Sequence, residues 1–302
     1  MSPTHRVATI QLHPIPLSPA KNFAKASAFI RSAVAQGAEL CVLPEYHLTN
    51  WLPADPAFRD ACSDWAVWLA KYQALAKELA VCIVPGTIVE RHVSGEGTGE
   101  GMGADVMYNV CYFIGRQGEI VGKYVKKNLW GAIERDHLES STHAPHEVFD
   151  TPIGKVGLLI CWDLAFPEAF RELIAAGAKT IIIPTFWTLF DCSLEGLKLN
   201  PKAEALFLDS MLTARTFENT CAIIFANAGG PPQKGYAGLS QVVIPYVGPI
   251  ARLGSSAEGM AVIDLDLGIL EDAEENYKVR ADLARQDWHY DYRHTKREKG
   301  RL

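Results

Sequence analysis

The sequence predicts an α/β protein, and three observations carry that reading. Short β-branched runs recur along the chain at 6–12, 39–43, 81–90, 105–116, 155–161, 179–184, 221–227, 240–244 and 260–265, bounded by turn residues. Between several of them, at 20–36, 63–80, 166–176 and 202–218, apolar residues return every three or four positions, the period of an amphipathic helix. Runs such as Thr180-Ile181-Ile182-Ile183-Pro184 are apolar on consecutive residues, so their strands should be covered on both faces.

Taken in order, Arg6-Val7-Ala8-Thr9-Ile10-Gln11-Leu12 alternates like a strand and lacks the longer apolar core of a secretory leader. The helix over 20–36 has a start at Ser18-Pro19 and a stop at Gly37. Residues 94–103 alternate glycine with polar side chains without the dinucleotide-binding spacing, and read as a mobile surface loop between two strands. No internal repeat or linker divides the chain. After about residue 270 the composition turns acidic, then aromatic and basic, which predicts one domain over 1–270 and a C-terminal arm over 271–302 at a subunit interface. The aromatic stretch Asp287-Trp288-His289-Tyr290-Asp291-Tyr292-Arg293-His294 belongs to that arm.

With 302 residues and 48% hydrophobic content, the chain can bury a sizeable core. Its formal charge of -6 and pI near 5.9 argue against a nucleic-acid partner. The basic tail over 293–301 is short and reads as a solvated or subunit-contacting end. Seven cysteines, an odd number without close pairing and mostly within apolar runs, look reduced. No stretch approaches the roughly 20 apolar residues that span a bilayer. A soluble, cytoplasmic protein without membrane partners is the expectation.

Three apolar runs end on residues that carry chemistry. Gly157-Leu158-Leu159-Ile160-Cys161 gives way to Trp162-Asp163, so a thiol arrives where a buried strand stops and a helix starts. Such a cysteine is either core packing or a nucleophile whose thiolate is favoured by the helix dipole and free amides. Glu45 follows Leu40-Cys41-Val42-Leu43-Pro44; it is either a hydrated strand end or a partly buried carboxylate raised toward the range of a general base. In Ile120-Val121-Gly122-Lys123-Tyr124-Val125-Lys126-Lys127, alternation puts Tyr124 and Lys126 on one face and Lys127 on the other. Glutamate, lysine and cysteine at three strand ends form a set for acyl transfer. The carboxylate takes the thiol proton, the thiolate attacks a carbonyl or nitrile carbon, and the ammonium with a backbone amide stabilises the developing charge.

At these segments the chain resembles the nitrilase superfamily of carbon-nitrogen hydrolases. Leu43-Pro44-Glu45 is similar to its glutamate motif, Gly122-Lys123-Tyr124-Val125-Lys126-Lys127-Asn128-Leu129 to its lysine motif, and Ile160-Cys161-Trp162-Asp163 with Phe166-Pro167-Glu168 to its cysteine motif. Val7-Ala8-Thr9-Ile10-Gln11 and Tyr236-Ala237-Gly238-Leu239-Ser240 extend the resemblance over about 6–265. It implies a four-layer αββα sandwich, commonly paired into a homodimer, with Glu45 as base, Lys126 as stabiliser of the tetrahedral intermediate and Cys161 as nucleophile. Lys127 is the alternative register. Glu134, with Glu139 as rival, matches a second glutamate that positions substrate, and the Trp162 amide would donate to the oxyanion.

Departures narrow the reading. Many amidase members carry an arginine where this chain has Ala165, so a substrate anion has no grip there, and the position usually holding histidine is Asn128. Asp163, where true nitrilases typically have glutamate, favours an amidase or carbamoyl-amide hydrolase. Phe186, Trp187 and Phe190 either pack in the core or line a hydrophobic substrate pocket. His143-Ala144-Pro145-His146-Glu147 superficially suggests metal ligands, but its proline prevents the helix that would align two histidines, and neither metal nor cofactor is expected. The expected function is thiol-dependent cleavage of the non-peptide C-N bond of a small amide, with a carbamoyl compound or nitrile as alternative substrate. Acyl transfer to another nucleophile, and a binding protein that has lost turnover, are the competing classes.

Overall fold

A computed structural model describes residues 3–93 and 105–290. The loop expected over 94–103 and the basic tail lie outside the described residues. In chain order the elements are β1 (Thr4–Gln11), α1 (Pro19–Ala35), β2 (Leu40–Val42), α2 (Pro56–Ser63), α3 (Trp65–Leu79), β3 (Cys82–Val84), β4 (Thr87–Val93), β5 (Asp105–Ile114), β6 (Ile120–Val125), α4 (Gly131–Arg135), β7 (Val148–Thr151) and β8 (Gly154–Leu158). They continue with α5 (Pro167–Ala175), β9 (Thr180–Thr185), α6 (Leu194–Leu199), α7 (Ala203–Asn219), β10 (Ala222–Asn227), β11 (Gln241–Ile244), β12 (Gly248–Arg252), β13 (Gly259–Asp266), α8 (Gly268–Tyr277) and α9 (Val279–Leu283). No described helix is long and apolar enough to cross a membrane.

The strands form two mixed sheets. The first has the order β13-β1-β2-β3-β5-β4, with β6 also paired to β5, and the second runs β12-β11-β10-β9-β8-β7. Alternation along β1 explains the layering. Val7 faces the core shared with Leu158 and Ile182 of the second sheet, whereas Ala8 and Ile10 face Ile30 of α1 and Tyr72 of α3. On the far side, a Cβ at Gly157 of β8 would meet Leu173 of α5 at 2.8 Å, so that glycine sets how closely α5 lies on the second sheet. Phe170 and Leu173 of α5 and Leu208 and Leu212 of α7 complete this layer. The fold is therefore an αββα sandwich, with burial of the two inner sheet faces as its main driving force.

The run expected as one strand over 81–90 is two strands, β3 and β4, broken at Pro85-Gly86. Gly86 has φ +62°, and a Cβ there would lie 1.9 Å from the Pro44 carbonyl oxygen. Only glycine allows this turn to press against the residue preceding Glu45. The strand expected over 155–161 stops at Leu158, which leaves Leu159 and Ile160 to carry the chain into a single 3-10 turn over Cys161–Ala165. Residues 271–290 include most of α8 and all of α9; Arg280 ties this region back through hydrogen bonds to the carbonyls of Thr220 at 3.2 Å and Ala178 at 2.7 Å.

Candidate active site

Glu45, Lys126, Glu134 and Cys161 come together at one end of the sandwich. Glu45, just past β2, is 1% exposed, and every acceptor position on its carboxylate that the fold addresses is filled by a named donor. Its Oε1 accepts from Lys126 Nζ at 2.9 Å and Asn109 Nδ2 at 2.7 Å, while Oε2 accepts the Phe186 amide at 2.9 Å. The Cys161 thiol adjoins this carboxylate closely enough for each group to influence the other's charge. Burial, opposed by the Lys126 charge and reinforced by Glu134, raises Glu45 to about 7.

Lys126 is fully buried, and its ammonium bridges Glu45 and Glu134 Oε1, the latter at 2.8 Å. Desolvation opposes that charge, but the two carboxylates outweigh it and hold the ammonium above its ordinary value. Lys127 has the opposite fate, as alternation implies. Its Nζ turns away to the carbonyls of Ser141 and Ala144, and burial lowers its pKa. Glu134 on α4 also accepts from Tyr46 Oη at 2.7 Å and the Trp130 amide at 2.7 Å, whereas its rival Glu139 is exposed.

Cys161 has φ +47°, a left-handed conformation that costs a non-glycine residue energy and turns the side chain off the strand line. Its Sγ lies 4.0 Å from the Phe186 carbonyl oxygen. The expectation of a dipole-favoured thiolate is not met. Only one 3-10 turn follows the cysteine, and burial, then the Glu45 charge, push the thiol well above its ordinary value despite Lys126. The resting group is a thiol that needs a base.

Asp163 is fully buried and does not line the cleft; it holds the cysteine turn in place. Its Oδ2 accepts from Tyr124 Oη at 2.8 Å and the Ile160 amide at 2.9 Å, and its Oδ1 from Asn128 Nδ2 at 2.8 Å and the Asn128 amide at 3.2 Å. This carboxylate therefore bolts the turn to the lysine segment, and the sequence difference at Asn128 becomes one of the bolts. His146 of the suspected metal motif stacks on Tyr124 with ring centroids 5.7 Å apart and pairs through Nδ1 with Glu172 at 2.6 Å.

The thiol opens into a small cleft of about 70 Å³. Tyr46, Trp51, Trp130, Trp162, Phe186 and Trp187 form its aromatic walls, with Glu134, Thr188 and Asp191 as polar lining. Trp162 and Trp187 lean together at 5.4 Å, and Trp187 Nε1 donates to Glu204 at 2.6 Å. Phe190 is 57% exposed and lies outside the cleft. Asn109, a neighbour of the reacting groups, went unread in the sequence. Asn109 carried a signal, a lone amide inside the apolar strand Val106-Met107-Tyr108-Asn109-Val110-Cys111.

The sequence and the fold have counterparts among known proteins. The carbon-nitrogen hydrolase family model matches residues 6–275, and the chain belongs to that family, within the nitrilase superfamily; it is a carbon-nitrogen hydrolase. It is 29% identical over 272 residues to a 2-oxoglutaramate amidase of Bacillus subtilis, covering 88% of this chain and 92% of that one. It is 31% identical over 175 residues to a probable nitrilase of Schizosaccharomyces pombe, a match that spans 58% of each chain. The crystal structure of a carbon-nitrogen hydrolase from Helicobacter pylori superposes with a TM-score of 0.77 at 21% identity, over 92% of this chain and 94% of the other, and shares the fold.

Proposed function

We propose that the protein hydrolyses the non-peptide C-N bond of a small amide through an acyl-enzyme on Cys161. The observation that carries this reading is the meeting of Cys161 and Glu45 at Phe186, whose carbonyl lies 4.0 Å from the thiol sulfur and whose amide donates to the carboxylate at 2.9 Å, with Lys126 holding the same carboxylate and the thiol at the wall of a cleft. Glu45 takes the thiol proton as Sγ adds to the amide carbon. The carbonyl oxygen gains the electron pair and is stabilised by Lys126 and the Trp162 amide. Collapse of this intermediate expels the nitrogen, which leaves as ammonia or an amine with the proton from Glu45. Water, deprotonated by the same carboxylate, then cleaves the thioester, giving the acid and restoring the thiol. Glu134 orients Lys126, and Trp187 with Trp162 walls the acyl chain. No bound cofactor enters these steps.

The names of the relatives support an amide ahead of a nitrile, since the longest match reported above is to an amidase. Intact-mass spectrometry over matched amides, carbamoyl compounds and nitriles tests the proposal. The expected result is a mass increase of one acyl group that requires Cys161, with release of ammonia or amine. Turnover confined to nitriles would overturn the amide assignment, and turnover in Cys161→Ala would overturn the mechanism. The same reading includes a homodimer with the arm over 271–302 at its interface, checked by light scattering of the full chain against a chain ending at residue 270.

A further inference from the structure

We propose that the cleft is a receptor for a cationic group on the acyl chain of the substrate, with Asp191 as its counter-charge and the tryptophan faces as its walls. The inference rests on the amide reading only for the bond that is cut.

Asp191 lines the same cleft as Cys161 and is held rigidly by the turn it closes. Its Oδ1 accepts the Thr188 hydroxyl at 2.7 Å and its Oδ2 the Thr188 amide at 2.8 Å, which leaves lone pairs on both oxygens for a ligand. Among the described residues no lysine, arginine or histidine forms an ion pair with it; the charged groups that influence it are Glu204 and Glu134, both of its own sign. Burial and the two neighbouring carboxylates push this carboxyl above its ordinary value, so a cation placed beside it would favour its ionised form.

The rest of the site supplies no such partner. Lys126 is committed to Glu45 and Glu134, so the reacting groups and Asp191 together set three carboxyl groups against one ammonium. Arg215 reaches the segment where an arginine is missing, but its two terminal nitrogens are taken by the Ala165 carbonyl at 3.3 Å and Glu218 at 2.9 Å, and it does not line the cleft. An acyl chain ending in a carboxylate would meet like charge and no cation. One ending in an ammonium would meet Asp191 and the negative faces of indole rings. Trp130 has no ring partner among the described residues, so its indole is available to a ligand. The neutral alternative, in which Asp191 only closes the turn and the rings hold an apolar chain, predicts no preference for charge.

The test compares pentanamide with its ω-ammonium and ω-carboxylate analogues. Wild-type kcat/KM should favour the ammonium over the carboxylate analogue by at least about 100-fold, and Asp191→Asn should lower the ammonium-to-neutral ratio by about tenfold or more. The wild-type ratios decide the question even if the variant does not fold. A flat or carboxylate-favouring ratio, or an Asp191→Asn variant that leaves the ammonium-to-neutral ratio where it was, overturns the receptor. Calorimetric binding of the three amides to Cys161→Ala separates this from the reaction itself. Cation-selective binding without turnover of any amide by the wild type would sink the hydrolase reading and keep the receptor, whereas turnover without charge preference would do the reverse.

Discussion

The two sheets bring different materials to the site. The first, through β2, β5 and β6, delivers Glu45, Asn109 and Lys126, which are all but fully buried and joined to one another by hydrogen bonds of 2.7 and 2.9 Å. From the second come the Cys161 thiol on a left-handed turn, the Phe186 amide after β9 and the Trp162 and Trp187 walls. Buried charge survives only where its partners are fixed by strand register, because an ion left unpaired loses its hydration without return. A thiol carries no such demand. It can sit on a left-handed turn at the wall of the cleft, open to a carbonyl carbon bound there.

This contrast predicts that variants of the reacting group from the second sheet lose activity alone, while variants of the hydrogen-bonded charges from the first lose activity and stability together. Cys161→Ala should show the largest effect, a fall in ammonia release of at least about 10,000-fold, with a melting temperature within a few degrees of wild type. A large drop in melting temperature would erase the distinction. Next comes Lys126→Met, which leaves Glu45 and Glu134 facing each other without their cation. Urea unfolding should register a loss of about 3–5 kcal/mol, and a loss below about 1 kcal/mol would mean that the carboxylates simply take up a proton.

The pH profile sharpens the same point. With Glu45 raised to about 7 and acting as the base, kcat/KM should fall about tenfold per unit as pH drops below that value, and level off above it. A profile flat between about pH 5 and 8 would remove Glu45 from that role. The smallest effect belongs to Lys127→Met. Its ammonium serves only backbone carbonyls, so the variant should cost about 1 kcal/mol in unfolding measurements and leave kcat within a few-fold of wild type.

The strand ends that carry chemistry were legible in the sequence because each is an apolar run stopped by a polar residue; alternation put Lys126 and Lys127 on opposite faces, and the choice of Lys126 came from its spacing to Leu129 in the motif the chain resembles. The inner strands were legible for the same reason. Less was readable where a few residues depend on distant partners. The strands β7 and β12 have only four and five residues, and their pairing is decided by β8 and β11. The break at Pro85-Gly86 reflects a close approach to Pro44 that no local pattern encodes. Asp163 read as a marker of reaction class; its work as a bolt depends on Tyr124 and Asn128, which lie 39 and 35 residues away. The thiol's raised pKa follows from burial beside a carboxylate that lies far away in the chain and that local helix chemistry does not see.

The Phe186 amide that holds Glu45 belongs to a residue 141 positions further along the chain. At ordinary rates of synthesis, about 5–20 residues per second, the ribosome makes the glutamate roughly 7 to 30 s before that amide exists. Throughout this interval the carboxylate is hydrated and no weaker an acid than any other glutamate. The cysteine emerges with its proton and without a base. The nascent chain therefore carries its reactive residues in an inert form, and reactivity arrives only when the second sheet closes on the first.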